Sequence, residues 1–334
     1  MWILGIDTSC DDTGVGLVKD GEVVVNLVAS QVALHQAFGG VVPELASREH
    51  LKVIRPLAEK ALAEAGIGPK DLSLVAATRG PGLIGALLVG YTFAKGLAWA
   101  LRKPFYAIHH LEAHIAAAWP PGLNPPFLAL VASGGHTHLF AVEALGRYRL
   151  LGATRDDAAG EAFDKVARLL GLGFPGGPEI ERLAQEAREK VPFPVPLKDQ
   201  KGYEFSFSGL KTKAVQLVEA GHSAPALARG FQEAAVEHLA QVVIRAAQDT
   251  GHRVLLVAGG VAANRALQAR FQEAGLTVYF PPRGLSQDNG AMVALAAWRR
   301  YEAGFPPSPL SLGATAYWPL EEAGREGAQG VSHP

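Results

Sequence analysis

The chain's 334 residues, 49% of them hydrophobic and 19% charged, exclude a disordered protein and are long for one core, so two domains are expected. The single cysteine, Cys10, excludes an internal disulfide framework and fits a cytoplasmic protein. A formal net charge of -1 gives no bulk attraction for nucleic acid, so RNA must be drawn in by local patches or by a partner protein.

From the N-terminus, Met1-Trp2-Ile3 leads straight into a strand-like run, and no stretch of about 20 uninterrupted apolar residues follows. Neither a signal peptide nor a membrane span is expected. Residues 2–29 read as strand, polar turn, strand, hairpin and strand, with Cys10-Asp11-Asp12-Thr13 at the turn and Asp20-Gly21 at the hairpin. A turn of small polar residues between strands exposes N–H groups and hydroxyls that can embrace a phosphate, and its carboxylates can hold a metal. The same residues also suit a plain surface turn.

His110 and His114 come next, in an Ala-rich segment from Ile108 to Ala118 that closes at Trp119-Pro120. Without interior Gly or Pro, that segment should be a helix. Residues four apart stack on one helix face, so both imidazoles could share one metal ion, although the pair fits packing or capping equally well. Peptidase chemistry does not fit. In H-E-x-x-H the catalytic Glu directly follows the first His, whereas Glu112 lies two residues on, about 200° around the helix. The inverted H-x-x-E-H form fails because Ala113 precedes His114.

After the Pro-rich connector Trp119 to Pro126, residues 127–154 repeat the opening layout. Here Ser133-Gly134-Gly135-His136-Thr137 replaces the first polar turn, and Leu145-Gly146 the hairpin. Two such turns at matching places in two halves point to two α/β lobes facing each other across a nucleotide cleft. Gly173 to Pro178 should set a loop before a helix, with Pro178 in its first turn. Further on, Val254 to Ala258 reads as a buried strand, Gly259-Gly260-Val261 as a tight turn and Ala262 to Glu273 as a helix with Asn264 in its first turn. Ser286 to Gly290 then links a strand at 277–280 to a helix from Ala291 to Ala303, where Asp288 suits an N-cap. A metal site on the two histidines needs an oxygen ligand, and spacing alone does not choose among Asp7, Asp11, Asp12, Asp164 and Asp288. We expect domain boundaries at 1–122, with 291–334 returning to it, and at 123–290.

Taken together, the strings GIDTSCDDTG, HHLEAH, LVASGGHTHL, FSFSGLKT, AGGVAANRAL and QDNGAM, with the run through Asp164 to GGP, span most of residues 3–295. They resemble the tRNA N6-threonylcarbamoyladenosine transferases of the actin/Hsp70/sugar-kinase superfamily, whose lobes are RNase H-like. The resemblance implies one divalent metal, usually iron with zinc as the alternative, on His110, His114 and Asp288. It also implies threonylcarbamoyl-AMP, or ATP or ADP, against Val131, Ala132, Ser133, Gly134, Gly135, Asp164, Gly177, Glu181 and Asn264. Departures from the family strings are Asp for Glu at Asp7 and Asp12, Glu181 for an Asp, and Ser286-Gln287 for Cys-Thr.

The implied reaction carries the threonylcarbamoyl group from threonylcarbamoyl-AMP to N6 of adenosine 37 in tRNAs reading ANN codons, forming t6A. Asp11, or else Asp12, is expected to accept the amine proton, and Lys211 to touch the RNA backbone or simply begin a solvated helix. The resemblance further implies tRNA as substrate, with an inactive paralogue and a small P-loop ATPase as partners. An ATP-dependent kinase or chaperone-like ATPase is the competing activity for this fold, and it has no requirement for His110 and His114. A nucleotide-bound scaffold whose partner does the chemistry is the other.

Overall fold

The structure, a computed structural model, describes residues 1–38, 40–198 and 200–324. Contacts divide the chain into two compact units. One holds Met1–Ala117, Ala144–Tyr148 and the chain from Pro282 onward; the other holds Ala118–Glu143 and Arg149–Pro281.

In the first unit the expected opening is present as β1 (Trp2–Asp7), β2 (Asp12–Lys19) and β3 (Glu22–Ser30). Then come α1 (Val32–Gln36), α2 (Pro43–Glu64), β4 (Leu72–Gly80), α3 (Ile84–Leu101), β5 (Phe105–His109) and α4 (His110–Ala118). The sheet order is β3-β2-β1-β4-β5. β1 runs antiparallel to β2 and parallel to β4, which is parallel to β5. Period-2 alternation makes this sheet two-sided. Leu4, Ile6, Val15 and Leu17 pack toward Ile54, Ala58, Tyr91 and Ala94 of α2 and α3. Ile3, Val18, Leu74 and Ile108 instead meet Ala113 and Ala116 of α4 and the alanines of the last helix, α10 (Gly290–Glu302). α3 is long and apolar enough, by length and composition, to cross a membrane. Here its Ala86, Leu87, Gly90, Tyr91, Ala94 and Ala98 are buried.

The second unit repeats the topology. β6 (Phe127–Ala132), β7 (Thr137–Ala144) and β8 (Arg147–Ala153) precede α5 (Ala159–Leu169), α6 (Gly176–Gln185), α7 (Ser208–Glu219) and α8 (Ala224–Thr250). β9 (Val254–Ala258), α9 (Arg265–Gln272) and β10 (Thr277–Tyr279) complete it. The order β10-β9-β6-β7-β8 mirrors the first sheet strand for strand. α5 to α9 cover one face, where Leu128, Leu130 and Ala132 meet Phe163, Phe231 and Leu239.

Three helix starts differ from the sequence reading. The helix expected from Ile108 starts at His110, because Ile108 and His109 end β5. The helix expected from Ala262 starts at Arg265, after a 3-10 turn at Gly260–Ala263, and Asn264 caps it. The helix expected from Ala291 starts at Gly290, and Asn289 rather than Asp288 caps it by accepting from the Met292 N–H at 2.8 Å.

Candidate metal centre

Parallel strands bring their carboxyl ends to one edge of a sheet, and ligands of open α/β sheets gather there. In the first unit β1 ends in Asp7, β4 in Thr78 to Gly80, and β5 in His109, directly before His110. α4 is helical as its composition demands, and the i, i+4 spacing puts both imidazoles on one face with ring centroids 4.7 Å apart. The loop before α10 supplies the third donor. Asp288 Oδ1 lies 3.1 Å from His114 Nε2 and 3.6 Å from His110 Nε2. One ligand atom from each of the three residues fits within 4.8 Å of the other two.

A buried carboxylate supports this group from below. Asp7, fully buried, accepts from Thr78 Oγ1 at 2.5 Å and from Ser9 Oγ at 3.0 Å, and its Oδ1 stands 3.5 Å from His110 Nδ1. Burial disfavours a charged His110, yet Asp288 and Asp7 outweigh it and hold the imidazole up at about 9. An edge that stabilises an imidazolium against burial is one that favours a cation. Among the described residues the buried His114 Nδ1 has no hydrogen-bond partner, so hydrogen bonding orients its ring through Nε2. Two imidazole nitrogens and one carboxylate oxygen form a donor set suited to Fe2+ or Zn2+, with positions left for water or substrate. The residues therefore fit the metal that the resemblance implies.

Asp11 lies on the turn between β1 and β2, and Asp12 opens β2. Burial raises the Asp12 carboxyl to about 7; a hydrogen bond with Ser30 opposes the rise, and Asp11, Asp288 and Asp7 add to it. Among the described residues, the other carboxylate oxygen, Asp12 Oδ1, is buried without a hydrogen-bond partner. The turn is held from behind by His50, whose Nε2 stands 2.9 Å from the Cys10 carbonyl and whose Nδ1 stands 2.7 Å from Thr13 Oγ1. Burial, with Asp11 and Asp288 close by, pushes the Cys10 thiol far up and leaves it unreactive.

In the second unit, the carboxyl ends of β6 and β9 are neighbours, which brings the turn after Val131 and Ala132 beside Gly259. Gly259 has a φ of 88°, and a Cβ there would strike the Ala132 carbonyl, so the approach requires glycine. Ser133, Gly134 and Gly135 form the turn; Ser133 N–H donates to the His136 carbonyl at 2.8 Å, and the Ser133 carbonyl accepts from Gly160 N–H at 3.0 Å. Open space surrounds Gly134, Gly135 and Gly177. Asp164 Oδ1 accepts from Gly176 N–H at 2.7 Å and so sets the start of α6.

Two expected ligand contacts have structural duties. Asn264 Oδ1 accepts from Leu267 N–H at 2.9 Å and its Nδ2 donates to Gln232 at 2.9 Å. Glu181 accepts from Arg265 N–H at 2.7 Å. Lys211 lies on α7, exposed, beside a cavity of about 360 Å³ lined also by Lys165, Ser208 and Thr212.

Sequence reading missed Ser9 and Thr78 as supports of the buried Asp7, and Arg300 as the partner of Glu112. Glu112 was the signal for Arg300: a carboxylate in so apolar a helix needs a buried cation nearby.

The geometry can be set beside known proteins. Residues 22–295 match the family described as tRNA N6-adenosine threonylcarbamoyltransferase. A relative of that name from Thermus thermophilus is 82% identical over 97% of this chain and 100% of its own. Another, from Syntrophotalea carbinolica, is 46% identical over 97% of this chain and 98% of its own. Among solved structures, HypF from T. kodakarensis superposes with a TM-score of 0.63 at 15% identity, over 90% of this chain and 48% of that one. Component A of the (R)-2-hydroxyglutaryl-CoA dehydratase of Acidaminococcus fermentans gives 0.57 at 17% identity, over 90% and 99%. At such identities these two structures show the shared fold alone.

Proposed function

The chain belongs to the tRNA N6-adenosine threonylcarbamoyltransferase family, and on that premise we propose how its residues perform the transfer. It is a transferase acting on tRNA to form t6A. We take the donor to be threonylcarbamoyl-AMP, a mixed anhydride. The N6 amine of the tRNA adenosine attacks its carbamoyl carbon, the C–O bond to phosphate breaks, AMP leaves, and the amine gives up a proton.

The observation that carries this reading is the convergence of His110 Nε2 and His114 Nε2 on one oxygen of Asp288. A divalent cation bound there would act as a Lewis acid toward donor oxygens. Asp7, through Thr78 and Ser9, holds the His110 side of that group in place. An exocyclic amine is a weak nucleophile, so proton removal matters, and a carboxylate with a pKa near the working pH is suited to it. Asp12, raised to about 7, now has the better claim to that role than Asp11. The Ser133–Gly135 turn, with Asp164 and Gly177 near the start of α6, offers N–H groups for the nucleotide phosphates. Asn264 has an amide N–H left for the ribose or base beyond its bond to Gln232.

A net charge of -1 gives little pull on tRNA, which supports a requirement for partner proteins, and we infer an inactive paralogue and a P-loop ATPase. The tRNA substrate and the lone cysteine support a cytoplasmic setting. The test is single-turnover transfer from threonylcarbamoyl-AMP to unmodified tRNA. Wild-type chain should form t6A and His110→Ala should not; equal product from both would remove the histidines from the mechanism.

A further inference from the structure

Glu112 is the one carboxylate of the HHLEAH segment, and this chemistry leaves it unused. It leaves α4 about 200° from His110, on the side away from the metal group. Its carboxylate, 1% exposed, is met by a two-pronged Arg300: Nε donates to Oε1 at 2.6 Å and Nη2 to Oε2 at 2.8 Å. The same Nη2 also donates to the Ala323 carbonyl at 2.9 Å. Arg300 stands in the last turn of α10, the helix that begins at Gly290, just after Asp288. The two elements carrying the proposed metal donors are therefore joined twice, once through His114 and Asp288 and once through Glu112 and Arg300. The two junctions leave α4 on opposite sides.

α4 needs the second junction more than α10 does. α10 is seated on β1 and β2 along its length, whereas α4 is nine residues long. If α4 rolled by roughly 20°, a side-chain atom about 5–6 Å from the helix axis would move by about 2 Å. Metal–ligand distances tolerate only about 0.2 Å. α4 is buried on every side from His110 to Ala118, but its contacts at Ala113, Ile115, Ala116, Ala117 and Ala118 are small or aliphatic and do not define roll that finely; a planar fork on a carboxylate has a fixed orientation.

We propose that the Glu112–Arg300 pair is a positioning device for the metal centre, setting the roll of α4 against α10 so that both Nε2 atoms face Asp288. This rests on the metal reading above. Glu112 and Arg300 touch neither metal nor substrate; they act through the histidines.

The test is metal affinity, read by chelator competition with Zn2+ and anaerobically with Fe2+, alongside thermal melting of the metal-free proteins. Arg300→Lys keeps the charge and loses the fork. The double variant Glu112→Met with Arg300→Met removes both charges, so neither is left buried alone. His114→Ala and wild type are the reference arms. The proposal expects the double variant to melt within a few degrees of wild type yet bind metal at least tenfold more weakly, with Arg300→Lys in between. Wild-type metal affinity in either folded variant overturns it. If the double variant does not fold, Arg300→Lys decides alone. A wild-type chain that binds neither metal overturns the metal reading itself, an outcome distinct from a clamp variant that binds normally.

Discussion

Asp288 and Asn289 stand side by side before α10, and either could have capped it. Asn289 does, which lets the Asp288 carboxylate face His110 and His114. Sequence could not separate these neighbours, since both side chains cap well. The consequence is a divided pair of phenotypes. Asn289→Ala should lower unfolding free energy by about 1 kcal/mol, whereas Asp288→Asn should cost little stability and most of the metal. Denaturant melts and elemental analysis of both variants check this, and metal retained at wild-type level by Asp288→Asn would count against it. The carboxylates of the first turn make a second case. The i, i+4 histidines were legible from spacing, but burial, which raises Asp12 to about 7, is visible only in three dimensions. As a base, Asp12 acts deprotonated, so single-turnover transfer should rise with pH through the range where Asp12 ionises and level off above it. Asp12→Asn should lose about 10²-fold or more of that rate with nucleotide affinity intact. An unchanged pH–rate profile in the variant would return the role to Asp11.

At the scale of elements, the strands and hairpins were legible because alternation and Asp-Gly turns are local signals. The glycines of β2 were not. Gly14 and Gly16 admit α10, and a Cβ at Gly16 would overlap the Ala291 backbone nitrogen. Gly16→Ala should therefore destabilise the chain by about 1–3 kcal/mol and weaken metal binding, because the start of α10 and Asp288 are displaced together. A crystal structure with α10 unmoved would contradict this. In the second unit, His238 on α8 accepts from Ser206 N–H at 3.1 Å, and burial pulls it down from 6.5 to about 4. Folded His238 stays neutral while the unfolded chain takes up a proton first. Stability is thus intact above about pH 6.5 and declines as pH falls toward 4, by roughly 3 kcal/mol in all. His238→Gln keeps an acceptor and does not titrate, so its urea midpoint should fall less steeply over that range. Parallel curves for the two proteins would show that His238 does not carry the effect.

For the whole molecule, the twofold repeat was readable because a complete strand-turn-strand-hairpin-strand layout recurs, and both sheets share one strand order. What spacing could not supply was the oxygen ligand, which only the family resemblance pointed to, since Asp288 and His114 lie 174 residues apart and meet only through the fold. A net charge of only -1 leads to one prediction at this scale. The isolated chain should stall after about one turnover on tRNA, and adding the inferred paralogue and P-loop ATPase should restore multiple turnover; sustained turnover alone would refute that. The most direct measurement is metal content and t6A formation on the same preparations of wild-type and His114→Ala protein. Wild type should hold a single bound metal ion per chain and give t6A product, and the variant should lose both. Full t6A formation by wild-type protein stripped of metal would contradict it.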